Sequence, residues 1–352
     1  MTMGSRPAKR VLRADTITLT HGAGGKAMRD LIQDVFVDGF DNPTLAQLED
    51  QARLDLNGLV ADGDRLAMTT DSFVVDPLFF PGGDIGTLAV AGTVNDLAVG
   101  GAIPRYLTCG MIIEEGLPVE TLRRIVRSMR ETADAAGVEI VTGDTKVVHK
   151  GAADKLFVNT AGVGVIPADI DIDSRRARPG DVILINGHIG DHGAAIATAR
   201  GDMALDSSVE SDCAPLNGLI RDMLAACPDI RSMRDATRGG IATVLNEFAE
   251  ASDSCLRVDE TALPVRDEVR GLSEILGLDP LYLANEGKLV AIVPASASDA
   301  VLAAMRAHPL GRHAARIGEV SEAPSGRVIL QTGFGGERIV DMLVGEQLPR
   351  IC

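Results

Sequence analysis

At 352 residues the chain is long enough for two hydrophobic cores, and its 45% apolar side chains suit a folded protein. A formal net charge of −16 argues against a nucleic-acid partner, since phosphate backbones need clustered Lys and Arg. No apolar run is long enough to span a membrane, and the N-terminus lacks the pattern of a signal peptide, so a cytoplasmic location is expected.

The first ten residues are polar, small and basic and are expected to be disordered. A glycine-rich segment follows, His21-Gly22-Ala23-Gly24-Gly25-Lys26, leading into a helix with Met28, Leu31, Ile32 and Val35 on one face. Residues 65–70 read as a strand that ends at Asp71, and residues 86–99 as a helix of small residues. A strand at 104–114 and an amphipathic helix at 120–136, closed by Gly137, come next. Strands at 138–142 and 156–166 flank a turn, Thr142-Gly143-Asp144-Thr145-Lys146. The polar stretch 167–179 marks a domain boundary. The second half restarts with a strand at 181–186, then Asp191 as a helix N-cap, and Asp235-Ala236-Thr237-Arg238-Gly239-Gly240 opening a helix to about 251. A strand near 255–258, a helix at 267–276, Asn285-Glu286-Gly287 before a strand at 288–293, a helix at 298–307 and two closing strands complete it. This pattern is α+β, with two layers in each of two domains.

Several residues carry chemistry. A carboxylate at Asp96, inside the apolar run 89–99, is costly unless it is paired or binds a cation. With Asp71 and Asp144 it forms a candidate site for metal-bound nucleotide, because Mg2+ prefers carboxylate oxygens shared with phosphates. Gly24, Gly25 and Lys26 can close over phosphates, although the spacing is not that of a full P-loop. Asp235 stands where a helix N-terminus favours an anion. Glu286 is either a general acid/base or a turn residue; Lys146 and His149 either meet developing negative charge or are simply exposed.

The cysteines are Cys109, Cys213, Cys227, Cys255 and Cys352, odd in number and without a C-x-x-C pair, so neither a disulfide framework nor a zinc site is expected. The first four read as buried small hydrophobes. Cys352 is the last residue, on a tail that reaches roughly 23 Å from Gly345 when extended, and is free to react and to carry a group.

Taken together, the glycine segment, Thr70-Asp71-Ser72, Asn95-Asp96-Leu97-Ala98, Thr142 to Val147, Asp235 to Gly240 and Asn285-Glu286-Gly287 resemble the PurM-like ATP-binding superfamily of aminoimidazole ribonucleotide synthetase. The ending Pro349-Arg350-Ile351-Cys352 resembles the HypE family of hydrogenase maturation factors, the carbamoyl dehydratases. The likeness runs from about residue 16 to the end. It implies a flexible segment at 1–39, an ATP-binding and dimer-forming domain at 40–167, a second α/β domain at 175–344 and a mobile tail at 345–352. It implies ATP and Mg2+ as cofactors, with Gly24, Gly25, Lys26, Asp71, Asn95, Asp96, Thr142, Asp144 and Asp235 at the nucleotide and Asp71, Asp96 and Asp144 on the metal.

The implied reaction starts with a carbamoyl group placed on the Cys352 sulfur by the carbamoyltransferase HypF. ATP-dependent dehydration, with Glu286 as base and Lys146 and His149 stabilising or relaying charge, leaves a thiocyanate. The cyanide then passes to the iron of a [NiFe] hydrogenase through a HypC–HypD complex, and the working state is a homodimer. Sister ATP enzymes such as selenophosphate synthetase and thiamine monophosphate kinase leave Cys352 unexplained. A nucleotide-binding scaffold without catalysis is the rival of another class.

Overall fold

The computed structural model describes residues 12–49, 51–201 and 208–345. The N-terminal half holds β1 (Arg65–Phe73), α1 (Ile85–Val99), β2 (Ile103–Glu114), α2 (Val119–Ala136), β3 (Glu139–Val148) and β4 (Leu156–Ile166). Its sheet runs β1-β4-β2-β3, antiparallel except for the parallel β2–β3 pair. Helices α1 and α2 cover one face. The side chain of Asp84 caps α1 by accepting from the N–H groups of Gly86 and Thr87. Helix α2 presents Leu122, Ile125, Val126 and Met129 to the same core. The other face of the sheet is open and carries exposed Leu66, Met68 and Ile112.

The C-terminal half holds β5 (Val182–Ile185), α3 (Asp191–Ala199), α4 (Asn217–Ala226), β6 (Ser232–Asp235), α5 (Gly240–Ser252), β7 (Cys255–Asp259), α6 (Asp267–Leu276), β8 (Leu289–Val293), α7 (Ser298–Ala307), β9 (Ala315–Ser321), β10 (Arg327–Gln331) and β11 (Glu337–Val340). The seven strands run β11-β10-β7-β9-β5-β8-β6. Every residue of β8 is buried, because separate cores cover its two faces. One of these cores includes Ala98 and Val99 from the end of α1. Helix α1, which carries Asn95 and Asp96, is therefore packed into both halves.

Three expectations are corrected. Residues 142–146 are not a turn but the middle of β3, where pairing of Thr108–Glu114 with Thr142–Val148 overrides their turn-like composition. The described part of the segment 1–39 is not loose: Ile17, Leu31, Val35 and Phe36 are buried in the N-terminal core, so their apolar side chains tie it down. Three strands, not two, close the chain, and helix α4 and strand β6 were not read from the sequence. The first eleven residues and the tail 346–352, with Cys352, lie outside the described residues.

Candidate functional site

The sequence-derived site residues fall into two groups on opposite edges of the four-stranded sheet. The first lies where β1 meets the C-terminal half. Asp71 is on β1, with Ser72 N–H donating to its Oδ1 at 2.7 Å and Arg238 reaching it at 3.8 Å from across the junction. Asp96 comes from α1 and accepts from Thr69 Oγ1 at 3.0 Å. Asp235 ends β6, next to the helix start that the sequence suggested. Glu286 sits in the turn before β8, only 3% exposed, and its Oε1 has no hydrogen-bond partner among the described residues.

Burial raises the proton affinity of these carboxyls, and neighbouring carboxylates add to it at Asp96, Asp235 and Glu286. Asp71 is raised chiefly by burial. Asp96 is raised by burial and by Asp71. Asp235 is pushed up to about 7, by burial first and then by Asp96. Glu286 is raised well above the usual value by burial, then by Asp212, Asp235 and Asp71, with Arg238 opposing. A junction where several carboxyls have raised proton affinity suits either a cation or proton transfer.

The second group lies at the β3 edge. Asp144 and Lys146 pair with each other at 3.1 Å, with side chains 67% and 65% exposed. His149 is exposed just beyond β3. Gly24 and Gly25 have open space where a Cβ would stand, and Lys26 pairs with Asp30. The start of this loop touches β3: a Cβ on Gly22 would come within 2.8 Å of the Val147 backbone nitrogen. Thr142 and Asp144 also line a small cavity of about 80 Å³ beside Cys109.

One chain does not bring the two groups together. In the sheet Asp71 lies opposite Thr160, Thr160 opposite Cys109, and Cys109 opposite Gly143. Those are three interstrand spacings, about 14 Å. Asp144 is therefore separated from Asp71 and Asp96, and the three do not form a metal cluster within the chain. Among the described residues no three His, Cys, Asp or Glu side chains are arranged to hold a metal by themselves. A groove of about 610 Å³ crosses the open face between the edges, lined by Ser72, Met111, Asp144, Lys146 and Asn159.

Two further placements differ from the expectations. Asn95 is 1% exposed, and its amide is spent between the halves: Nδ2 donates to the carbonyls of Ala214 at 3.1 Å and Glu286 at 3.4 Å, while Oδ1 accepts from Leu216 N–H at 2.7 Å. It is a bracket rather than a nucleotide ligand. Asp191 is not an N-cap, since Gly190 takes that position and the Asp191 carboxylate pairs with Arg266 at 3.0 Å. Cys109, Cys227 and Cys255 are buried, and burial pushes the Cys109 thiol up to about 12. Cys213 is only partly buried and stands near Glu286, which helps burial raise its thiol. Sequence reading missed the buried pair Asp212–Lys288, at 2.9 Å. The available signal was Lys288 itself, a cation opening an all-apolar strand and so needing a partner.

The comparisons with known proteins agree with this architecture. Residues 48–166 match the family model "AIR synthase related protein, N-terminal domain", and residues 178–331 match "AIR synthase related protein, C-terminal domain". The carbamoyl dehydratase HypE of Rhodobacter capsulatus is 59% identical over 341 residues, spanning 97% of this chain and 99% of that protein. A crystal structure of hydrogenase maturation protein HypE in complex with ATP superposes with a TM-score of 0.90 at 53% identity, covering 95% of this chain and 99% of that one. A chain of a crystal structure of a HypE–HypF complex superposes with a TM-score of 0.77 at 46% identity, covering 91% of this chain and 100% of that one. The chain belongs to the HypE family of carbamoyl dehydratases, enzymes of hydrogenase maturation built on the two AIR synthase related domains.

Proposed function

We propose that this chain uses ATP to dehydrate an S-carbamoyl group on its own Cys352 to S-thiocyanate, the source of the cyanide ligand on the iron of a [NiFe] hydrogenase. The observation that carries this reading is Glu286, a buried carboxyl with an unpartnered oxygen and a strongly raised pKa, beside Asp71 and Asp235. An amide oxygen is a poor nucleophile and its carbon has no good leaving group. Attack of the carboxamide oxygen on the γ-phosphorus releases ADP and converts that oxygen into phosphate. Loss of two N–H protons and departure of phosphate then leave S–C≡N. Glu286, in its ionised form and made more basic by burial, takes one N–H proton; the departing phosphate carries off the other, and Lys146 and His149 meet the developing charge.

The glycine loop with Lys26, Thr142 and Asp144, and Asp71, Asp96 and Asp235 would hold the nucleotide. The donor set of Asp71, Asp96 and Asp235 is all hard oxygen, which fits Mg2+ shared with phosphates. When bound, Mg2+ supplies charge neutralisation at the transferring phosphoryl group.

A homodimer accounts for the split site. The open sheet face, with exposed Leu66, Met68 and Ile112, is the apolar surface that pairing would cover. Docking of two such faces gives the β3 edge of one chain a route to the junction of the other. The partners are HypF, which loads the carbamoyl group, and a HypC–HypD complex that receives the cyanide. The location is cytoplasmic, consistent with the absence, among the described residues, of any helix long and apolar enough to cross a membrane.

The test is the intact mass of wild-type and Cys352→Ala protein after incubation with HypF, carbamoyl phosphate and ATP. A gain of roughly 25 Da in the wild type alone marks S–H becoming S–C≡N, by the covalent-carrier logic. A stable gain of roughly 43 Da means carbamoyl is accepted but not dehydrated. No gain at all with active HypF overturns the reading.

A further inference from the structure

We infer that Asp212 is a positioning residue for the dehydration step: it grips the backbone on which Glu286 is carried and leaves Glu286 Oε1 unengaged and available to the substrate. This rests on the assignment of Glu286 as the base. Both oxygens of Asp212 are engaged on that one turn. Oδ1 accepts from Glu286 N–H at 3.0 Å, and Oδ2 accepts from Gly287 N–H at 3.1 Å and from Lys288 Nζ at 2.9 Å. The approach is as close as a side chain allows, since a Cβ on Gly287 would lie 1.9 Å from the Asp212 carbonyl oxygen.

The rest of the turn is held as firmly. Asn95 Nδ2 reaches the Glu286 carbonyl at 3.4 Å and Asn186 Nδ2 reaches the Gly287 carbonyl at 3.0 Å. Each main-chain polar group of Glu286 therefore has a partner, whereas its side-chain Oε1 has none among the described residues. A turn that only needed stability would have used the carboxylate to cap itself. Here the stabilising carboxylate comes from outside, from the 211–216 strap that Asn95 also ties to α1. The same strap thus links the helix carrying Asp96 to the backbone of the base.

Lys288 balances the charge of Asp212 and keeps the pair buried without an uncompensated ion; the side chains are 11% and 3% exposed. Asp212 also stands close enough to Glu286 to raise the affinity of that carboxyl for its proton.

The experiment follows single-turnover dehydration of the full chain, preloaded with carbamoyl by HypF, in wild type, Glu286→Gln, Asp212→Asn and the double variant Asp212→Asn/Lys288→Met. The double variant removes both charges together, so it avoids an unpaired buried ion and guards against simple misfolding. Expected is a fall in the dehydration rate of roughly 10- to 100-fold in the Asp212 variants, the scale of a misplaced catalytic group, with carbamoyl loading and the KM for ATP within about twofold of wild type. A folded double variant that dehydrates at the wild-type rate overturns the inference. So does a loss of ATP affinity and loading in proportion to dehydration, which marks a purely structural role. If Glu286→Gln itself dehydrates normally, the assignment of the base fails first, and that outcome is read separately.

Discussion

The two edges of the four-stranded sheet treat the same residue types in opposite ways. At the β1 edge, Asp96 and Asp235 are partly buried, Glu286 is buried, and neighbouring carboxylates reinforce burial in raising the proton affinity of all three. At the β3 edge, Asp144 and Lys146 stand in solvent and satisfy each other. The buried edge carries an electrostatic cost within the fold itself, which a cation or a proton transfer relieves. The exposed edge carries almost none and acts only when something is brought to it. A carboxylate's identity in the sequence is thus a weaker guide to its role than the dielectric around it.

The largest expected effect breaks the buried edge. Glu286→Gln should lower single-turnover dehydration by about 10²- to 10⁴-fold while ATP binding persists, the range expected for loss of a general base. Normal turnover by this variant would end the contrast between the edges.

Complementation sharpens it. Lys146→Ala and Glu286→Gln homodimers should each be inactive, yet mixing them should restore about a quarter of wild-type activity if each site uses one edge from either chain, as closed two-fold symmetry allows. No recovery on subunit exchange would place each site within a single chain.

The third prediction concerns pH and stability. Asp235 has a folded pKa of about 7, above its ordinary 3.8. Its contribution to stability is present in full below the unfolded value and is lost as pH rises through about 7. Asp235→Asn should therefore raise the Tm of the nucleotide-free protein at about pH 8, by roughly 2 °C or more, and by less at about pH 5. Equal shifts at both pH values would show that Asp235 does not bear that cost.

The smallest effect is on the exposed edge. Asp144→Asn should change unfolding free energy by no more than about 0.5 kcal/mol in denaturant titration, because its ion pair is solvent-screened. A larger loss would mean that the β3 edge is structurally committed after all.

Two members of the candidate site stand out in the sequence alone. Asp96 betrayed itself by interrupting an apolar helix, and Glu286 by preceding an apolar strand in a tight turn. Asn95, in the same apolar run as Asp96, was assigned to the nucleotide. Yet the two side chains, one residue apart, leave the helix in different directions, and Asn95 ends between the halves. Around Asp144 the backbone differs from the expectation: the composition of 142–146 favours a turn, and only pairing with β2 makes it a strand. Asp212 was invisible, because its partners Glu286, Gly287 and Lys288 lie more than seventy residues away in the chain.

Local periodicity and motif spacing determined the α+β class, most helix and strand positions and the chemistry available, since these depend on interactions within a few turns of chain. Tertiary structure decided which carboxyls share a pocket, which are dry, and which edge of the sheet each occupies. Those depend on strand order and on burial by distant segments, and burial sets whether a given aspartate is a solvated charge or a reservoir for a proton.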